Sequence, residues 1–187
     1  MKTKLIYAFI AISLFACKED DENEPVTPII PNEEEVITTV KYTLTPVMGG
    51  TAKVFQFKDL DGDGGNAPVI TTDSIDDNVT YSGTLEFLNE LETPADSITN
   101  EVLEEGDEHQ VFFQVTAGDY IISYADVDKN GKPLGLSTTF ESRTMGGSLT
   151  VILRHKPDKA ATGVSGGDIT NAGGETDIEV VFPINVR

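Results

Sequence analysis

Apolar and polar residues alternate along both ends of the region that follows residue 35. Over residues 36–44, one face of the segment carries at every second position Val36, Thr38, Val40, Tyr42 and Leu44. Residues 176–186 alternate in the same way. A period of two predicts half-buried β-strands. Pro183 cannot donate a hydrogen bond to a neighbouring strand, so we expect the last strand to lie at a sheet edge or to carry a bulge.

Further short apolar runs lie between these two segments and are separated by turn signals. They predict strands over residues 51–58, 79–87, 109–115, 120–125, 137–143 and 148–155, with a long loop over 59–77. Residues 98–104 fit either a strand or two helical turns, and the glycine at 106 favours a hairpin. Seven to nine short strands with almost no helical periodicity predict an all-β fold, a single Greek-key β-sandwich of the immunoglobulin or transthyretin-like kind.

The first sixteen residues have the pattern of an export signal. Two lysines precede twelve mostly apolar residues, a run shorter than the ~20 residues that a membrane-spanning helix needs. The Leu14-Phe15-Ala16-Cys17 segment resembles the bacterial lipobox, in which the cysteine receives a diacylglycerol group. We therefore expect a signal peptide over residues 1–16 and a lipidated Cys17, the alternative being an ordinary signal peptide with a chance cysteine. Because Cys17 is the only cysteine, an intramolecular disulfide is excluded.

Residues 17–35 are rich in acid and contain three prolines, a composition that predicts an extended tether. The folded domain is then expected over residues 36–187. The Lys18-Glu19-Asp20 segment resembles the export signal of Bacteroidota lipoproteins that reach the outer face of the outer membrane. That resemblance implies an outer-membrane lipoprotein displayed at the cell surface, and an anchor facing the periplasm is the alternative.

The chain is strongly acidic, with 32 Asp and Glu against 13 Lys and Arg and a net charge of −19. Removal of the signal peptide takes away two lysines and no acid, which changes the charge to −21. Such a surface repels nucleic-acid phosphates and anionic lipids and attracts cations. We therefore expect no nucleic-acid partner.

Two acidic loops have a spacing that suits calcium. The first carries Asp59, Asp61 and Asp63, and the second carries Asp126, Asp128 and Asn130, each followed by a glycine. Oxygen ligands at alternate positions around a glycine turn can converge on one Ca²⁺ ion, which takes 6–8 oxygens. The alternative is a pair of Asp-Gly or Asn-Gly turns whose carboxylates accept local N–H groups.

The two histidines, His109 and His155, each lie in a predicted strand. Imidazole binds transition metals, but no short spacing links the two residues, and a structural role for each is the alternative. The sequence contains no GxSxG, HExxH or activated-cysteine pattern. We therefore expect a protein that is not an enzyme.

Five segments together, DLDGDGGNAP, EHQVFF, DVDKNGKPLG, LRHKPDK and GGETDIEV, resemble a group of small, uncharacterised Bacteroidota lipoproteins. Such proteins sometimes carry a type 1 periplasmic-binding label, but that fold has two α/β lobes and a longer chain. The expected function is a surface binding module that captures a cation or small ligand for an outer-membrane transporter or surface complex. The alternatives are a calcium-stiffened structural or adhesive module and a hydrolase with an unrecognised site.

Overall fold

The computed structural model of this protein describes residues 35–62 and 65–187. The predicted signal peptide, Cys17 and all of the predicted tether except Glu35 lie outside the described residues, as does Asp63 of the first acidic loop. Within the described part of the chain, no helix is long and apolar enough to cross a membrane.

The described residues form nine β-strands, one short α-helix and two turns of 3₁₀-helix. The helix is α1 (Ile98–Glu104), and the 3₁₀ turns span Val164–Gly166 and Ile169–Asn171. The strands are β1 (Thr39–Pro46), β2 (Lys53–Lys58), β3 (Val69–Thr72), β4 (Thr80–Leu88), β5 (His109–Thr116), β6 (Ile121–Tyr124), β7 (Ser137–Glu141), β8 (Gly147–His155) and β9 (Glu175–Ile184).

The strands build two antiparallel sheets, one of six strands in the order β3-β2-β1-β4-β7-β6 and one of three in the order β5-β8-β9. In the larger sheet, β1, β2 and β3 follow one another, and β4 returns to pair with β1. That arrangement of four strands is a Greek key. The predicted Greek-key β-sandwich is therefore confirmed.

The apolar core takes side chains from both sheets, as the period of two predicts. Tyr42 on β1 packs against Phe113 on β5 with ring centroids 6.1 Å apart, and Phe55 on β2 packs against Phe182 on β9 at 6.0 Å. Four of the alternating apolar side chains of β1 and β2 are fully buried, namely Val40, Tyr42, Leu44 and Phe55. Burial of these faces between the sheets supplies the main driving force for folding.

Residues 98–104 form a helix, so the hairpin expected there is wrong. Ile98 and Val102 are buried and stand four residues apart on one face of α1, the spacing of neighbours on a helix surface. Thr99 fixes the helix to β4, because its Oγ1 accepts a hydrogen bond from Phe87 N at 2.7 Å. Two buried positions in seven residues give too little periodicity to separate a helix from a strand.

Two further findings concern the strands at the sheet edges. Strand β3 lies inside the predicted loop of residues 59–77; its four residues are largely exposed, so no apolar alternation marks it. Strand β9 lies at the edge of the smaller sheet, as expected from Pro183. The pairing of β9 with β8 also contains an irregularity, and this irregularity shapes the candidate site.

Candidate functional site

The two histidines meet on neighbouring strands of the smaller sheet. Strands β5 and β8 pair in antiparallel register, which places His109 directly opposite His155. Their imidazole rings stack with centroids 4.8 Å apart and an angle of 7° between the planes, and both side chains are buried. The sequence identified both residues but not their contact, because the register of two distant strands decides it.

The ring of His109 is oriented by the turn that joins α1 to β5. Its Nδ1 lies 3.3 Å from the backbone carbonyl oxygen of Glu105, which can only accept a hydrogen bond. This contact assigns the proton to Nδ1 and leaves Nε2 on the opposite side of the ring. A histidine that donates one N–H to a carbonyl and presents the other nitrogen is the usual arrangement of a metal ligand.

A β-bulge directs Asp177 toward that nitrogen. On β9, Ile178 lies opposite Leu153, whereas Thr176 lies opposite Arg154, so Asp177 is the extra residue between two paired ones. Bulges re-aim side chains out of the regular alternation of a strand. The Oδ2 atom of Asp177 lies 3.9 Å from Nε2 of His109.

Glu35 completes the cluster from the other end of the chain. It precedes β1, and the segment that carries it is fixed by Thr38, whose backbone N donates to Leu88 O at 2.9 Å. The Oε1 atom of Glu35 lies 3.3 Å from Nε2 of His109. The side chains of Glu35, His109 and Asp177 are only 12%, 0% and 10% exposed. We call these three residues the Glu35–His109–Asp177 cluster.

The cluster contains converging acceptors with no donor aligned to them. Among the described residues, none forms a hydrogen bond with Glu35 Oε2, His109 Nε2 or Asp177 Oδ2, and all three atoms are buried. Buried polar atoms without partners are uncommon in native proteins and call for an explanation. A positive charge between the three side chains would satisfy them.

The ionisation of the cluster reflects the same shortage of positive charge. Burial and the neighbouring Glu35 carboxylate raise the pKa of Asp177 to about 6. Burial alone would lower the pKa of His109, but the nearby Glu35 and Asp177 carboxylates and the contact of Nδ1 with the Glu105 carbonyl outweigh burial and raise it. A cation at this point would stabilise both carboxylates in their charged form.

The separations fit a transition-metal ion. Ligands at 2.0–2.2 Å in a tetrahedral arrangement lie roughly 3.4 Å from each other. The 3.3 Å between Glu35 Oε1 and His109 Nε2 matches that spacing. Asp177 Oδ2, at 3.9 Å from His109 Nε2, would have to move slightly closer. The ligand atoms of Glu35, His109 and Asp177 all lie within 4.8 Å of one another, and so do those of Glu105, His109 and His155.

The first acidic loop forms a hydrogen-bonded turn in its described part. Asp59 Oδ1 accepts from Gly62 N at 2.9 Å, and Asp61 Oδ2 accepts from Asn66 N at 2.9 Å and from the Asn66 side chain at 2.7 Å. Asp63 lies outside the described residues. Calcium binding by this loop stays a prediction.

The second acidic loop is held by backbone N–H groups and a lysine. Asp126 accepts from Gly135 N at 2.7 Å and from Ser137 N at 2.8 Å. Asp128 Oδ1 accepts from Asn130 N at 2.8 Å, and its Oδ2 lies 2.9 Å from Nζ of Lys159. The ammonium group stands where a cation would bind, so this arrangement favours the local turn over the calcium site.

Sequence reasoning missed Glu35 and Asp177. Glu35 is the last of three consecutive acids in the segment that was predicted to be a tether. No feature of the sequence distinguishes it from the two acids before it. Asp177 occupies a polar position of the alternating last strand, between Thr176 and Ile178. Its polarity matches that alternation, so no feature of the sequence marked it as a site residue.

Comparison with known proteins adds no relative from which a role for these residues could be transferred. No protein-family model, no curated protein and no solved structure matches this chain.

Proposed function

We propose that this protein is a non-enzymatic binding module that holds a transition-metal dication at the Glu35–His109–Asp177 cluster. The observation that carries the proposal is that ligand atoms of Glu35, His109 and Asp177 lie within 4.8 Å of one another, while Glu35 Oε2, His109 Nε2 and Asp177 Oδ2 are buried without a hydrogen-bond partner among the described residues. Two carboxylates and one neutral imidazole would give the bound ion a nearly neutral, water-poor environment.

The donor set favours zinc or copper over calcium at this position. Calcium takes 6–8 oxygen ligands, whereas imidazole nitrogen suits Zn²⁺, Cu²⁺, Fe²⁺ and Ni²⁺. Affinity for a site with nitrogen and oxygen ligands rises from Fe²⁺ through Ni²⁺ to Cu²⁺ and is lower again for Zn²⁺. The stacked ring of His155 packs against the ligand ring and restricts its orientation. We therefore propose Zn²⁺ and Cu²⁺ as the preferred ions.

The cellular setting follows from the amino-terminal signals and belongs to the same proposal. A lipid on Cys17 anchors the module to the outer membrane, and the Lys18-Glu19-Asp20 segment favours the cell surface. There the module captures the ion and passes it to an outer-membrane transporter. An acidic domain with a net charge near −21 would concentrate dications around itself.

The test is thermal unfolding of the full chain after EDTA treatment, with Zn²⁺, Cu²⁺ or Ca²⁺ then added separately. An ion present at 100 times its Kd stabilises the folded state by about 2.7 kcal/mol, because it binds only that state. We expect this stabilisation with Zn²⁺ and Cu²⁺. We expect Glu35→Gln, His109→Gln and Asp177→Asn each to remove most of it.

A matched control is Glu141→Gln, which removes one exposed carboxylate at the end of β7 and should leave the Zn²⁺ response unchanged. If a proton on His109 rather than a metal satisfies the cluster, Zn²⁺ will not stabilise the unmodified chain. Equal stabilisation of all four variants would place the metal elsewhere. Either result contradicts the proposal.

A further inference from the structure

A cleft of about 620 Å³ adjoins the Glu35–His109–Asp177 cluster. Five carboxylate side chains line it, those of Glu35, Asp59, Asp61, Asp177 and Glu179, and none of its described lining residues is lysine or arginine. Glu35 and Asp177 belong to both the cleft and the cluster, so the cleft reaches two of the three cluster residues.

Asp177 provides an independent sign that the cleft receives a cation. Its side chain is nine-tenths buried, and its Oδ2 atom has no hydrogen-bond partner among the described residues. The cleft therefore combines four other carboxylates with a buried acceptor that lacks a hydrogen-bond partner among the described residues.

Residues 59–62 of the first acidic loop line the same cleft, and residues 60–62 are exposed. The two described aspartates of the loop are fixed by local hydrogen bonds, Asp59 by Gly62 N and Asp61 by Asn66. The Asn66 hydrogen bonds lower the pKa of Asp61, so that this carboxylate stays charged at neutral and mildly acidic pH. The loop thus places fixed negative charge on the exposed part of the cleft lining.

We propose that this cleft is the access route of the metal ion and that Asp59 and Asp61 attract the ion without ligating it at its final position. This inference rests on the proposed function. Clefts lined by charge of one sign focus the electric field and raise the association rate of oppositely charged ligands. The attraction acts on the approaching ion, so removing it should slow association and leave dissociation unchanged.

The test compares the Zn²⁺ association rate of the full chain with that of the double variant Asp59→Asn, Asp61→Asn. Stopped-flow mixing with a fluorescent zinc indicator in calcium-free buffer gives both rate constants. Asparagine keeps an acceptor oxygen for the loop hydrogen bonds. We expect association at low ionic strength to slow by at least about threefold and the difference to shrink at high salt, because salt screens exposed charges.

The matched control is the double variant Asp77→Asn, Glu141→Gln, which removes the same charge from two exposed positions outside the cleft. Glu179→Gln tests the cleft wall without altering the loop, in case the double variant perturbs it. Equal association rates for the cleft and control variants, or a faster dissociation as the main effect, would overturn the access route alone. Failure of the unmodified chain to bind Zn²⁺ at equilibrium would overturn both proposals.

Discussion

His109 and His155 stand opposite each other on β5 and β8 with their rings parallel and 4.8 Å apart, yet only His109 faces the carboxylates of Glu35 and Asp177. Nε2 of His155 instead lies 3.8 Å from Oε2 of Glu108. The two rings therefore have unequal positions relative to the proposed ion. One would bind the metal, and the other would support the ring that does.

This asymmetry predicts that replacing each histidine will reduce Zn²⁺ affinity by a different amount. His109→Gln removes a proposed ligand, and we expect Zn²⁺ binding to fall below detection in equilibrium titration of the full chain. His155→Gln removes only the supporting ring, and we expect the Kd to rise about tenfold, as for other residues that orient a ligand. An equal loss in both variants would indicate that the ion lies between the two rings.

The buried pair of Asp128 and Lys159 predicts a large effect on stability. Both side chains are buried, and the ammonium group also donates to the carbonyls of Gly106 and Pro133. Asp128→Asn leaves the buried Lys159 ammonium group without its counter-ion. We expect the free energy of unfolding, measured with urea, to fall by about 3 kcal/mol. The double variant Asp128→Asn, Lys159→Met should lose less stability than the sum of the losses in the two single variants. Simple additivity would show that the two groups are not coupled.

The same pair predicts part of the acid sensitivity of the fold. Burial raises the pKa of Asp128, but the hydrogen bonds from Lys159, Lys132 N and Asn130 N outweigh it and hold the pKa below its ordinary value of 3.8. The unfolded chain therefore binds the proton first as pH falls. The stabilising contribution is complete above pH 3.8 and is lost as the pH falls through the folded-state pKa. Urea unfolding between pH 2 and pH 6 should show a shallower acid decline for Asp128→Asn than for the unmodified chain.

Gly83 on β4 predicts a steric effect. A Cβ atom at this position would lie 2.6 Å from the Tyr42 hydroxyl and closer still to Thr138 Oγ1, and these two groups share a buried hydrogen bond of 2.7 Å. We expect Gly83→Ala to destabilise the protein by about 2–3 kcal/mol in urea unfolding, because the core cannot accept the added volume. Gly166→Ala is the control, since nothing lies within 4 Å of its added Cβ. A similar loss of stability in the Gly83→Ala and Gly166→Ala variants would contradict this explanation.

A calcium titration of single variants shows which of the two acidic loops binds Ca²⁺. Calcium bound by the first loop would raise the melting temperature of the EDTA-treated chain, and Asp61→Asn should abolish that rise. Asp126→Asn should retain it, because the Lys159 ammonium group already pairs with Asp128 in the second loop. A rise that disappears only with Asp126→Asn would instead assign calcium to the second loop.

The β-sandwich was predictable because most of its strands bury one face. That alternation is visible in β1, β8 and β9, whereas β3 is largely exposed and α1 has only two buried positions. The order of the strands was not predictable, since it depends on contacts between segments far apart in the chain.

The candidate site was only partly predictable for the same reason. The sequence marks His109 and His155 as residues with metal chemistry, but their contact depends on the register of β5 and β8. Asp177 reaches His109 through a one-residue bulge, and the alternation of the strand does not reveal where a bulge falls. Glu35 is one acid among many until the fold places it beside a buried imidazole.

The position of Glu35 has a mechanical consequence. The proposed ligands come from the start, the middle and the end of the folded domain, so a bound ion would join distant parts of the chain as a removable cross-link. Cross-links between distant positions restrict the unfolded chain most strongly when the enclosed loop is long. Because Glu35 is also the point where the predicted tether meets the domain, tension applied through the tether of a protein held by the proposed lipid on Cys17 would act first on the metal–ligand bonds. With the ion bound, this end of the domain would resist unfolding under that tension, whereas without the ion it would unfold first.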